Sequence, residues 1–143
     1  MARIQLDKPD PVLFETVLPV RISDLNYGNH LGNDRVLTLA HDARMQFLLA
    51  KGFNNEVDIA EGIGFIIADS AVVYRSEAFY GDPLVVTIGA SDFNKYGFDM
   101  QYLMVNRETG KEVAIVKTGM VCFNYRERKV SGVPDALMKV LSE

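Results

Sequence analysis

What the chain lacks narrows its class first. It has a single cysteine, Cys122, so no intrachain disulfide can form, which fits a reducing compartment. Two scattered histidines and that cysteine do not make a zinc site, and neither a metal nor a cofactor is expected. Basic runs are missing and the net charge is −4, which argues against nucleic acid as a partner. No apolar run approaches the ~20 residues of a membrane span, and the opening MARIQLDKPDP has no apolar leader core. The expectation is a cytoplasmic protein with no membrane partner. No G-x-G-x-x-G or P-loop sequence occurs, nor any repeat, low-complexity tract or linker. With 143 residues, 48% of them hydrophobic, residues 1–143 read as one domain with a real core.

What is present centres on residues 21–51, RISDLNYGNHLGNDRVLTLAHDARMQFLLAK. Residues 23–33 form a polar loop. Val36, Ala40, Ala43, Phe47 and Ala50 then recur at steps of four and three, which predicts an amphipathic helix. Leu37, Leu39, Leu48 and Leu49 widen its apolar face and predict deep burial. Asn33 suits the N-cap and Asp34 the positive first turn. Lys51 fits the last turn, and Gly52 can take the left-handed conformation that ends a helix. A polar loop thus runs into the N-terminus of a buried helix, where free backbone N–H groups and a partial positive charge meet reactive side chains.

The rest reads as strands. Residues 1–13 are a polar, extended lead. Phe14, Thr16, Leu18, Val20 and Ile22 alternate on one strand face, and Pro19 points to an edge or a bulge. Residues 62–77 form a long β-rich run, with a bend predicted at Asp69 and Ser70. Alternation predicts further strands around Leu84–Ala90, Phe98–Met104 and Val113–Phe123. Turns stand at residues 80–83 and 94–97, and at 108–111, where Gly110 suits a positive φ. Pro134 can open a short C-terminal helix. One long helix followed by strands joined through short turns predicts an α+β domain, with an antiparallel sheet wrapped around the helix.

The chain resembles hotdog-fold thioesterases of the hydroxybenzoyl-CoA thioesterase type, from about Phe14 to Tyr125. Members usually show Asp-x-Asp, two variable residues, Gly-His, an aliphatic residue and Asn-Asn, followed by the central helix. Asp24, His30, Leu31 and Asn33 match in place. Asp42-Ala43-Arg44 resembles the acid-Ala-Arg of such helices, and Tyr74-Arg75 with Gly81-Asp82-Pro83-Leu84 resembles the Tyr-Arg and Gly-Asp-x-Leu segments. Three positions depart: the usual second aspartate is Asn26, the glycine before the histidine is Asn29, and the first asparagine of the pair is Gly32. The resemblance implies a five-stranded antiparallel sheet around one long helix, a homodimer or homotetramer, and hydrolysis of an acyl-CoA or acyl-carrier thioester to acid and thiol. The alternative is a non-catalytic acyl-CoA binding module, since an amide neither takes a proton at neutral pH nor attacks a carbonyl well.

Candidate catalytic residues are Asn26, Asp24, His30 and Asn33. Asn26 either positions a water or the thioester oxygen, or satisfies its own loop backbone. Asp24 is either a base or a structural partner of Arg21 or Arg35. His30 either transfers a proton or packs the loop. The resemblance gives the Asn33 N–H, preceded by Gly32, the task of polarising the thioester carbonyl. Candidate substrate-binding residues are Tyr27, Gly32, Asp42 and Arg75. His41 and Asp42 either line a neighbouring subunit's acyl pocket or face solvent, and Arg75, Lys95, Arg126 and Arg128 either meet CoA phosphates or are scattered surface charge. Asp69 and Asp42 are further candidates for the base, and Cys122 reads as core rather than nucleophile.

Overall fold

A computed structural model describes residues 3–142. The first two residues of the polar lead and Glu143, the last of the expected C-terminal helix, lie outside the described residues. The elements are β1 (Phe14–Pro19), a 3-10 turn (Ile22–Asp24), α1 (Asn33–Ala50), β2 (Ile63–Tyr74), β3 (Pro83–Ser91), β4 (Gly97–Asn106), β5 (Glu112–Asn124), β6 (Lys129–Val130) and α2 (Asp135–Leu141). Each paired strand runs antiparallel to its neighbour, in the order β1-β3-β4-β5-β2, with β6 against β5.

α1 lies on this sheet. Val36, Leu39, Ala40, Ala43, Phe47 and Leu48 are buried, and meet Leu84, Val86, Ile88, Met100, Met104 and Val116 from the strands in one core. The Phe14 and Phe47 rings pack at 5.7 Å. Burying a side chain of this size contributes about 1.5–3 kcal/mol, so the stripe read from helical spacing is what fastens α1 to the sheet. This is the hotdog arrangement: an α+β domain with its sheet wrapped on a central helix.

Four details differ from the sequence reading. The sheet has six strands among the described residues rather than five, because the turn after Asn124 lets Phe123 and Asn124 pair with Val130 and Lys129. α1 begins one residue earlier than expected. Gly32 occupies the N-cap and Asn33 is the first helical residue, since the backbone of Gly32 makes the cap: its N–H donates to the Asp24 carbonyl and its carbonyl accepts from the Arg35 N–H. Leu37 and Leu49 are 38% and 56% exposed and Ala50 is exposed too, because they point away from the sheet, so the buried stripe is narrower than predicted. β1 ends at Pro19, and Ile22, expected on its inner face, stands 70% exposed in the 3-10 turn.

Other expectations hold. Pro19 sits at the end of an edge strand, and the pairing of β2 with β5 shifts register between Ile67 and Asp69. Gly52 and Gly110 have φ of +93° and +74°, where an L side chain would be strained. No helix among the described residues is long and apolar enough to cross a membrane.

One polar cluster is sealed inside. Arg44 is 2% exposed. Its Nε donates to Glu56 at 2.9 Å, its Nη1 donates to the Tyr102 hydroxyl at 3.0 Å, and that hydroxyl lies 2.8 Å from Thr118 Oγ1. α1, β4, β5 and the segment after α1 are thereby linked through a single guanidinium. Removing one partner of a buried ion pair leaves the other charge without compensation. Arg44→Ala is therefore expected to lower unfolding stability by about 3–5 kcal/mol, read as a drop in the urea midpoint.

Candidate active site

The loop before α1 is built by backbone hydrogen bonds. The Asn29 N–H donates to the Asn26 carbonyl at 3.0 Å and the Asn26 N–H to the His30 carbonyl at 2.9 Å. Residues 26–29 thus form a tight turn with Tyr27 and Gly28 at its tip. Asn29 has φ 64°, a left-handed conformation that asparagine tolerates better than most residues. Gly28 lies close to both polar neighbours: a Cβ there would come within 3.2 Å of Asn26 Oδ1 and 3.2 Å of His30 Nε2.

A second set of contacts ties the loop to the chain that leaves β2. The Leu31 N–H donates to the Ala78 carbonyl at 2.8 Å, His30 bridges to Phe79, and the Tyr74 hydroxyl donates to the Asn33 carbonyl at 3.1 Å. Between the two segments lies a cavity of about 350 Å³. Asn26, His30, Leu31 and Asn33 line it from the loop, and Tyr74, Arg75, Ser76 and Glu77 from the strand side.

Each polar group at the cavity is defined by its partner. Asn26 Oδ1 accepts from the Gly28 N–H at 2.8 Å, which leaves the amide N–H donors unpaired among the described residues. His30 Nδ1 lies 3.3 Å from the Leu31 carbonyl, which makes it the protonated nitrogen. Nothing among the described residues accepts from the Asn33 N–H, so the start of α1 presents an unused donor and the positive end of the helix dipole. Such a donor can hold an oxygen on which negative charge develops.

The cavity brings together Asn26, His30, Asn33 and Arg75 of the expected residues; Asp24, Tyr27, Gly32 and Asp42 are not on its wall. Asp24 is fully buried and accepts from the Arg21 N–H at 2.8 Å and from its guanidinium at 3.2 Å. Burial alone would raise its pKa, but the hydrogen bonds and charge of Arg21 prevail and hold the carboxyl below its usual range. The structural pairing is therefore the one adopted, and Asp24 shapes the loop through Arg21 and Gly32. Tyr27 is fully exposed at the turn tip. Asp42 accepts from Gln46 at 2.9 Å, and His41 lies 2.7 Å from Glu56. Asp69 accepts from Lys117 at 2.6 Å. Lys95, Arg126 and Arg128 are likewise off the cavity wall. Cys122 is buried in β5, and desolvation pushes its thiol up to about 11, so it is not a nucleophile at neutral pH.

The profile of the thioesterase-like superfamily matches residues 20–141. The chain belongs to this superfamily. Solved structures share its fold. A 1,4-dihydroxy-2-naphthoyl-CoA thioesterase from Synechocystis superposes with a TM-score of 0.82 at 18% identity, over 91% of this chain and 96% of its own. A Staphylococcus aureus protein solved in complex with CoA gives 0.81 at 16%, over 90% and 81%. A gentisyl-coenzyme A thioesterase gives 0.78 at 16%, over 90% and 99%.

Within this thioesterase-like chain, the strand-side wall was legible from sequence only at Arg75, a candidate substrate-binding residue. Tyr74 stood out as part of a motif without a stated place at the site, and Ser76 and Glu77 carried no signal at all. Only the fold brings Tyr74 to Asn33, 41 positions away.

The Asp24 pairing sets a pH dependence. A carboxyl whose folded pKa is depressed stabilises the fold above its unfolded value, near 3.8, and loses that contribution as pH falls through the folded value. Urea unfolding followed from about pH 6 to about pH 2 should show parent stability declining at the acid end. Asp24→Asn should be less stable near neutrality and show a flatter acid decline.

Proposed function

We propose that this protein is an acyl-CoA thioesterase, hydrolysing the thioester to free acid and thiol. The observation that carries the reading is the unused Asn33 N–H at the start of α1, opening on a cavity also lined by Asn26 and His30. In the proposed reaction the thioester oxygen lies against that N–H, where helix dipole and donor both favour the oxyanion. The Asn26 amide donates to the attacking water, and His30 holds the turn in shape. Arg75, which lines the cavity, is assigned to the CoA phosphates. CoA as carrier is supported by the relative solved with it.

The proposed working unit is a homodimer or homotetramer. β2 is an edge strand of twelve residues, and it exposes Ile66 at 39%, Ile67 at 46% and Tyr74 at 48%. A long apolar edge left open invites pairing with another copy. In such an assembly Tyr27 and Asp42 are the residues assigned to the acyl or pantetheine chain, in a pocket completed by the neighbour. Light scattering at micromolar concentration should give a mass of at least two chains; a monomer would contradict the assembly and a shared pocket.

Purified protein offered a panel of acyl-CoAs should release free thiol. Asn26→Ala should lower kcat about 100-fold or more with little loss of stability, and Asn26→Asp should match or exceed the parent. Parent-like turnover in Asn26→Ala would remove the loop from the reaction. Tight acyl-CoA binding without thiol release would make the protein a binding module instead.

A further inference from the structure

Water attack on a thioester carbonyl needs a proton acceptor, and the loop brings no carboxylate to the cavity. Asn26 Oδ1 accepts from the Gly28 N–H, and an amide does not take a proton at neutral pH. His30 Nδ1 donates to the Leu31 carbonyl, which leaves Nε2, beside Gly28, as the one side-chain nitrogen of the loop that can accept a proton. The carboxylates of Asp24, Asp42 and Asp69 are engaged by Arg21, Gln46 and Lys117 and stand off the cavity wall. Of the residues that line the cavity, Glu77 alone carries a carboxylate.

Its position is fixed from both sides. Glu77 lies in the short stretch after β2, between the Tyr74–Asn33 hydrogen bond and the bond from Leu31 to Ala78. The neighbouring Arg75 turns to Glu112, with Nε 3.8 Å from its carboxylate, and the Glu77 side chain enters no ion pair among the described residues. Glu77 thus lines the cavity on the wall opposite the start of α1, with its carboxylate unpaired among the described residues.

We propose that Glu77 is the general base of this thioesterase, performing from the strand side the proton transfer that Asn26 cannot perform from the loop. The inference rests on the hydrolytic reading above. Glu77 takes a proton from water as the water oxygen bonds to the thioester carbonyl carbon. The carbonyl oxygen becomes an oxyanion against the Asn33 N–H. Collapse restores the carbonyl and breaks the C–S bond, and the proton on Glu77 passes to the departing sulfur. Free acid and thiol leave, Glu77 is a carboxylate again, and no other reactant is consumed.

The test follows thiol release from acetyl-CoA, benzoyl-CoA and palmitoyl-CoA across pH, in the parent and in Glu77→Gln, Glu77→Asp and His30→Gln. Glu77 is exposed, so its variants should unfold with the parent's midpoint. Glu77→Gln should lose about 100-fold or more in kcat with KM nearly unchanged, and Glu77→Asp should recover part of that loss. The acid limb of the parent kcat/KM profile should be missing from Glu77→Gln and present in His30→Gln. If the parent turns over and Glu77→Gln keeps both its kcat and its acid limb, Glu77 is not the base while the thioesterase reading stands. If the limb disappears in His30→Gln instead, the base is the imidazole. If the parent releases no thiol from any of the three, the thioesterase reading falls, and the assignment of Glu77 with it.

Discussion

The hydrogen bond from the Leu31 N–H to the Ala78 carbonyl, at 2.8 Å, is the contact on which the arrangement of the site depends. It joins the loop that precedes α1 to the chain that leaves β2, and so sets the distance between the two walls of the cavity. The Tyr74 hydroxyl on the Asn33 carbonyl and the bridge between His30 and Phe79 repeat the tie on either side. Without them the loop would end at a free helix N-terminus with nothing opposite. The sheet provides the rigid frame: β2 pairs with β5 along nearly its whole length, so the residues after Tyr74 are delivered to a fixed place.

The loop itself is shaped by backbone more than by side chains. Asp24 carries most of the exception. Its carboxylate holds the Arg21 N–H and guanidinium, and its carbonyl accepts from Gly32, so one residue links the 3-10 turn to the helix cap. Asn29 takes the left-handed position, where the resemblance leads one to expect glycine, and it does so with φ 64°. The departure at Asn29 therefore leaves the turn intact. The departure at Asn26 is chemical: the amide keeps the hydrogen bond to Gly28 that a carboxylate would also make, and gives up proton acceptance. Shape and chemistry are separable here: the turn is kept while the side-chain chemistry at position 26 differs.

Most of the fold was legible in the sequence, because its periods are clean. Val36, Ala40, Ala43 and Phe47 mark the helix, and the alternation through β3, β4 and β5 marks the strands. β6 was not, since two residues carry no period. Leu37 and Leu49 were misjudged because hydrophobicity does not say which side of a helix the sheet will occupy. For the site, the loop half could be read because its polar residues are contiguous, although the cap falls on Gly32 rather than on Asn33. Of the strand half, only Arg75 was anticipated. Glu77 follows a Tyr-Arg pair in an unremarkable polar stretch, and it becomes part of a cavity only through long-range pairing that no local pattern encodes.

The central claim is that the start of α1 holds the thioester oxygen. The most direct measurement is a crystal structure with a non-hydrolysable acyl-CoA analogue in which a ketone replaces the thioester. The account predicts the ketone oxygen at about 2.7–3.1 Å from the Asn33 N–H, with the carbonyl carbon between the Asn26 and Glu77 walls. A ketone bound in another part of the molecule, with the Asn33 N–H left to solvent, would contradict it.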